Sequence, residues 1–382
     1  MYNAAARPRG TETRGRRLNG RRNFLTGLGL GLGAALSAPA IADPSPDVEW
    51  KITSSFNPSL DLIYGGGETL AKALADLTDG HFKLKISPAG EIAPAGEAID
   101  AVASGKADGA HTALAYAWSK APAYIFATST PFGMNARQHA AWLAEGGGGA
   151  LIDQLLADEK ALAIPAGNTG GQMAGWFRKE IRSVQDLQGL KMRVGGFAGK
   201  IFQTLGANPV AMPRDAVYNA LESGSLDMFE WVGPYDDEKF GQPIAKVAPN
   251  YYYPGWWKGG MQLHLVVAKE KYEALPKPYQ AALRAACATA DKQMLSKYDA
   301  ANPGAVKRLV VGGASLRLFP QDVLEACYKT ASDLYDQLST DSPRFKKIAD
   351  SFLAFRADQY LWWQVAEYSF DNFMIRQRHA KT

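Results

Sequence analysis

Ala98-Ile-Asp-Ala-Val-Ala-Ser-Gly-Lys-Ala-Asp-Gly109 decides the fold once it is set beside Val217-Tyr-Asn-Ala-Leu-Glu-Ser-Gly-Ser-Leu-Asp-Met228. Both read as a short helix, a Ser-Gly stop, two residues, an aspartate and then an apolar strand. Glycine ends helices because it takes the left-handed backbone conformation that side chains disfavour, so Ser104-Gly105 and Ser223-Gly224 mark equivalent helix ends. A unit that recurs in this way predicts two α/β lobes. Extending the match sets His111 opposite Glu230, each where a strand emerges, and open α/β sheets hold ligands beyond the carboxyl ends of their strands. The repeat therefore predicts two strands facing one central cleft.

Strand and helix alternate around the first copy. Glu49 to Thr53 reads as a strand, Glu68 to Leu77 as an amphipathic helix, His81 to Ile86 as a strand and Glu97 to Ala103 as the repeated helix. Leu162 to Ala166 and Gly171 to Phe177 read as strands leading into the second lobe, Val184 to Leu187 as a helical turn, and Leu190 to Val194 as the strand that carries Arg193. A hinge is expected near Asp153 to Gly167. Gln262 to Val267 has the alternation of a returning strand, so both lobes should be discontinuous: 43–166 with a returning part from about 270–320, then 167–269, then a C-terminal helical segment over 321–382. The aromatic residues of Pro343 to Phe373 form a stripe that one lobe need not consume.

The N-terminus carries Arg21-Arg22-Asn-Phe24-Leu25, an apolar run from Leu28 to Leu36, and alanines at 38, 40 and 42. This is a twin-arginine export signal with cleavage near Ala42, and its apolar run is too short for the ~20 residues of a spanning helix. The formal charge of +4 includes seven arginines and one glutamate in that leader, so the remaining chain carries −2. Without a basic patch interleaved with aromatics, nucleic acid is not an expected partner. Cys287 and Cys327 can either form one disulfide in an oxidising compartment or stay as two buried thiols. No Walker motif, dinucleotide fingerprint in context or haem-attachment motif occurs, which argues against an enzyme.

Three stretches carry the chemistry: Met192-Arg-Val-Gly-Gly-Phe-Ala-Gly199, Phe229-Glu-Trp-Val-Gly-Pro-Tyr-Asp-Asp-Glu238 and Tyr251-Tyr-Tyr-Pro-Gly-Trp-Trp-Lys-Gly-Gly260. Arg193 ends a strand before two glycines, and a guanidinium is shaped to hold a carboxylate in two parallel hydrogen bonds. Glu230, between Phe229 and Trp231, would be costly to bury unpaired, and a bound cation removes that cost. Tyr116 is the polar aromatic that the first lobe offers to the cleft, with Trp118 beneath it and Phe132 on the same wall. Asp236 and Asp237 adjoin each other and so read as a helix cap rather than a catalytic pair.

Arg193-Val-Gly-Gly-Phe-Ala-Gly199, Glu230-Trp-Val-Gly-Pro-Tyr-Asp-Asp237 and Tyr252-Tyr-Pro-Gly-Trp-Trp257, in that order, resemble the solute-binding proteins of tripartite ATP-independent periplasmic (TRAP) transporters. Within them the chain is similar to the subgroup that binds monocarboxylic 2-oxoacids such as pyruvate. The resemblance implies a two-lobed periplasmic binding protein with a long C-terminal helix, no catalysis, and delivery of the ligand to membrane permease subunits. It implies a bound cation, sodium ahead of calcium, held by the Gln172 amide oxygen, the Glu230 carboxylate and the Trp231 main-chain oxygen, and chelated by the ligand. Gln262 is a looser match as a further oxygen or ligand contact. The same subgroup includes homodimers that exchange a C-terminal helix. Lactate or another organic acid as ligand, or a periplasmic enzyme acting on a small carboxylate, are the competing readings.

Overall fold

The computed structural model describes residues 46–377. The expected twin-arginine leader and cleavage near Ala42 lie outside the described residues.

Two sheets organise the chain. The first runs β2-β1-β3-β10-β4 and the second β11-β9-β5-β8-β6-β7. The strands are β1 Val48–Ser54, β2 Phe82–Ser87, β3 Gly109–Thr112, β4 Ala161–Asn168, β5 Gly175–Phe177, β6 Lys191–Arg193, β7 Asn208–Pro209, β8 Met228–Phe229, β9 Asn250–Tyr253, β10 Gln262–Ala268 and β11 Ser315–Leu318. In β1, Trp50 and Ile52 are buried while Glu49 and Lys51 face solvent; Phe82 and Leu84 alternate in the same way with the exposed Lys83 and Lys85. That period of two is what a half-buried strand requires.

The sequence repeat is a structural repeat. The helix Ala98–Ala103 ends before Gly105 (φ +74°) and leads to β3, and the helix Val217–Ser223 ends at Gly224 (φ +80°) and leads to β8. β3 lies parallel to β1, and β8 lies parallel to β6. Each copy therefore delivers its strand end to the same side of its own sheet.

The expected division of the chain differs at its later crossings. β10, expected in the second lobe, lies antiparallel between β3 and β4 in the first sheet. Leu263, Leu265, Val266 and Val267 are all fully buried, as befits a strand covered on both faces. β11, expected in the first lobe, pairs parallel with β9 in the second. The 35-residue helix Lys277–Val311 joins them and serves both lobes. Leu283, Cys287 and Ala290 pack into the first sheet's core, whereas farther along the Tyr298 hydroxyl donates to Asp236 (2.8 Å) and Arg308 pairs with Glu238 (2.8 Å) in the second lobe.

The chain from Asp153 to Gly167, near which a hinge is expected, belongs to the first lobe. Those residues close the helix Gly148–Leu156 and form β4, an edge strand whose outward backbone is covered. Ala163 N–H donates to Asp153 (3.2 Å), Gly167 N–H donates to Asp291 (3.1 Å), and Pro165 between them has no N–H to expose. The chain leaves the first sheet after Asn168.

Cys287 and Cys327 are free thiols on separate helices, Lys277–Val311 and Gln321–Asp341. Burial pushes both up, Cys327 to about 12. Tyr335 of the second of these helices stacks on Phe197 of the second lobe (5.2 Å between ring centres), while Phe352 of the helix Pro343–Trp363 packs against Trp142 of the first (5.1 Å). Helical structure then continues to Gln377 with Val365, Tyr368, Phe370, Phe373 and Ile375 exposed.

Asp236 and Asp237 do not cap the helix Pro234–Glu238, which starts at Gly233 without a side-chain cap. Asp237 accepts from the Tyr251 hydroxyl (2.7 Å) and the Trp176 indole (3.0 Å) inside the second lobe, and Asp236 accepts from Tyr298. Burial raises both carboxyls, Asp236 to about 6 and Asp237 to about 7, against the pull of those hydrogen bonds. A carboxyl raised above its unfolded value near 3.8 binds its proton more tightly when folded, so its contribution is present below that value and is lost as the pH climbs to about 7. Urea unfolding should accordingly show the wild type losing stability relative to Asp237→Asn between about pH 4 and about pH 7. Parallel curves over that range would show that Asp237 does not titrate there.

Candidate functional site

A cavity of about 490 Å³ opens where the strand ends of the two sheets converge. Leu60, Ile63, Tyr116 and Trp118 line it from the first lobe, Arg193, Gly195, Gly196, Phe197, Glu230 and Trp231 from the second, and Trp257, Lys258 and Met261 from the crossing between them.

Arg193 ends β6. Its Nε donates to the Met212 carbonyl (3.0 Å) and one terminal nitrogen donates to the Glu230 carbonyl (2.9 Å), while the rings of Phe229 and Trp231 flank the guanidinium at 5.7 and 5.4 Å. These contacts fix its plane, and its remaining N–H groups have no hydrogen bond among the described residues. Burial lowers its pKa, opposed by the charge of Glu230, and a guanidinium stays protonated regardless. Directly after it, the helix Gly196–Thr204 begins at Gly195 with no side-chain cap, and both glycines line the cavity. The unpaired N–H groups and positive end of that helix favour an anion beside Arg193.

Glu230 follows β8 and is 7% exposed. Its Oε1 forms an ion pair with Lys258 Nζ. The turn that brings Lys258 there is built on glycine: Gly255 N–H donates to the Gln172 carbonyl (3.1 Å), and a Cβ on Gly255 would stand 2.5 Å from that oxygen. Gln172 sits beneath this turn, its N–H donating to the Lys258 carbonyl (3.2 Å) and its Nε2 to Thr169 Oγ1 (2.9 Å). Its Oε1 is buried with no partner. Tyr116 lines the cavity; enclosure of its phenol there, then the Glu230 charge, push it up to about 12, partly offset by Arg193. At neutral pH it is a hydroxyl donor.

Arg193, Glu230, Trp231 and Tyr116 are thus brought to one cavity, with Gln172 behind the Lys258 turn. Trp118, expected beneath Tyr116, lines the cavity itself. Three expectations fail. Gln262 accepts from Asn168 (3.1 Å) and donates to Asp291 (2.6 Å) and the Gly167 carbonyl (2.8 Å), and it lines a different cavity with His264 and Arg284. Its amide is saturated by the edge-strand network described above. Phe132 stacks on Trp256 (4.9 Å) and lines a small cavity beside Tyr328. His111 lies 1% exposed in the central strand β3 against Ser54 and Phe56; the chain reaches the cleft only at Ala115. Lys258 was the residue given no role, although a lone cation directly after Trp256-Trp257, both buried here, is a signal in itself.

No three His, Cys, Asp or Glu residues converge as a metal site among the described residues. The oxygens available here are the Glu230 carboxylate, paired with Lys258, main-chain carbonyls, and, on the residue beneath the Lys258 turn, the buried and unpartnered Gln172 amide oxygen. An oxygen set of this kind suits a hard cation, and an orphaned buried acceptor is an observation that such a cation would explain.

The family profile of bacterial extracellular solute-binding proteins, family 7 (DctP), matches residues 53–341. This chain belongs to that family. A monocarboxylate 2-oxoacid-binding periplasmic protein of Nostoc sp. strain PCC 7120 is 43% identical over 328 residues, 86% of this chain and 89% of the relative. The crystal structure of a TRAP solute-binding protein from Bordetella bronchiseptica RB50, a mixed-occupancy dimer with copurified calcium and picolinate in one site and an apo site, superposes with a TM-score of 0.84 at 41% identity, covering 88% of this chain and 100% of that one. One from Pseudoalteromonas atlantica T6c with bound sodium and pyruvate gives a TM-score of 0.80 at 33% identity, covering 85% and 99%. DctP proteins and these relatives bind solutes and are not enzymes, so this chain is a TRAP-type periplasmic solute-binding protein.

Proposed function

We propose that the cleft captures a small monocarboxylic 2-oxoacid of the pyruvate class together with a hard cation, and that the protein hands it to the permease subunits of a TRAP transporter. The observation that carries this is the guanidinium of Arg193, held in one plane beside an uncapped helix start in a cavity that also holds one buried carboxylate. The ligand carboxylate lies on Arg193 and the helix start, and Tyr116 donates from the other lobe. The Gln172 amide oxygen, the Glu230 carboxylate and the Trp231 carbonyl hold the cation, which would neutralise Glu230 and chelate the ligand's adjacent oxygens. Sodium is placed ahead of calcium because a single carboxylate faces the site, and calcium draws on several.

No bond is made or broken. A ligand held by both lobes biases an open and closed equilibrium toward the closed form. Asp61 of the first lobe accepts from Tyr235 (2.8 Å) and Lys239 (2.8 Å) of the second at the rim, contacts too exposed to set that balance alone. The cavity has room beyond pyruvate, so longer 2-oxoacids should also bind. Thermal melting tests the reading: pyruvate in large excess over its Kd should raise the Tm measurably, since ~100-fold excess adds about 2.7 kcal/mol. An unmoved Tm with every 2-oxoacid would overturn it.

Export through the twin-arginine route and a homodimer made by exchange of the C-terminal helix belong to the same proposal. Leu361, Val365, Tyr368 and Ile375, which share one face at helical spacing, are 59–68% exposed and form an apolar stripe larger than a solvent-facing helix end warrants. Light scattering should give a dimer for the mature chain and a monomer after deletion of residues 364–382. A full-length monomer, or a dimer that survives the deletion, would contradict the exchange.

A further inference from the structure

Among the described residues, Lys258, Glu230 and Arg193 are the charged ones that line the cleft. They sum to one positive charge, so a monocarboxylate alone would leave the cleft neutral. A metal ion entering first would raise the charge further, and it would have to take the Glu230 carboxylate from an ammonium already on it. The Glu230 side chain is 9% exposed and that of Lys258 21%, so the pair is shielded from the solvent screening that makes surface ion pairs negligible. Gln172 completes the arrangement: its N–H is bonded to the Lys258 carbonyl, and its Oε1, an oxygen assigned above to the cation, waits without a partner.

We infer that Lys258 is a resident counter-cation that occupies Glu230 and closes the metal site to a cation arriving alone. The cation gains the site only with the oxoacid, whose carboxylate compensates the displaced ammonium. Uptake of the two is thereby coupled, and by linkage each must tighten the other by the same factor. The inference rests on the cation-bridged reading above and adds a gate that the oxygen ligands by themselves do not contain.

The test titrates calcium, and separately pyruvate, into the mature protein stripped of carried-over ligand, by calorimetry in sodium-free choline buffer. Wild type should bind calcium weakly without pyruvate and much more tightly with it. Lys258→Met should bind calcium alone on the order of tenfold or more tightly than wild type, with the dependence on pyruvate reduced. Lys258→Arg, which keeps the charge, should behave as wild type and separates the charge from any loss of packing. Equal calcium affinity in wild type and Lys258→Met without pyruvate would overturn the gate. Failure of every 2-oxoacid to bind either protein would instead overturn the ligand assignment, and the calcium titration without ligand still reads the lysine on its own.

Discussion

Arg193→Ala is expected to weaken pyruvate binding by about 2–5 kcal/mol, roughly 30-fold to several-thousand-fold, which takes most affinities out of calorimetric range. On the proposed reading the lost guanidinium is the ligand carboxylate's direct partner, and it also bonds the Met212 and Glu230 carbonyls together. Both effects act in the same direction. Arg193→Lys keeps a charge but not the planar fork, and should recover only part of the affinity. Circular dichroism of the Ala variant should match wild type, because the affected strand β6 is held by pairing to β7 and β8 as well. Unchanged affinity in the Ala variant would remove Arg193 from its role.

Glu230→Ala should lower pyruvate affinity on the order of a hundredfold and, more diagnostically, make the residual binding indifferent to sodium and calcium. Two consequences of the geometry combine. The one carboxylate that lines the cleft among the described residues disappears, so a cation keeps amide and carbonyl oxygens without a formal charge. Lys258 is left without its partner, free to meet the ligand carboxylate directly, which is why some binding should persist. Calorimetry with and without sodium distinguishes the two terms. Binding that falls but keeps its cation dependence would mean that Glu230 holds the lobe together rather than the metal.

Much of this was legible in the chain because local rules and tertiary needs agree. The paired Ser-Gly stops marked equivalent helix ends because Gly105 and Gly224 do adopt positive φ. Arg193 and Glu230 were legible because a cation at a strand end before two glycines and an acid between aromatics have few structural uses. Where packing overrides propensity, the reading failed. The helix expected from Glu68 begins at Asp61, running through Gly65-Gly66-Gly67, a trio that reads as loop. A Cβ on Gly66 would stand 2.1 Å from Met294 Cε, so Gly66 is where the first helix meets Lys277–Val311. That helix itself spans two lobes, which no local pattern announces, and Gln262 was misassigned because its partners, Asn168 and Asp291, are far from it along the chain. Lys258 was overlooked for a related reason: only the folded turn on Gln172 shows that its ammonium reaches Glu230.

The most direct test of the central claim is calorimetric titration of the stripped, mature protein with pyruvate, 2-oxobutyrate, lactate and succinate, in sodium buffer and again with sodium and calcium excluded. The account predicts that pyruvate and 2-oxobutyrate bind, more tightly when a cation is present, and that succinate, whose second carboxylate has no cationic partner beyond Lys258, binds far more weakly. Preference for succinate, or no heat with any 2-oxoacid in either buffer, would contradict it.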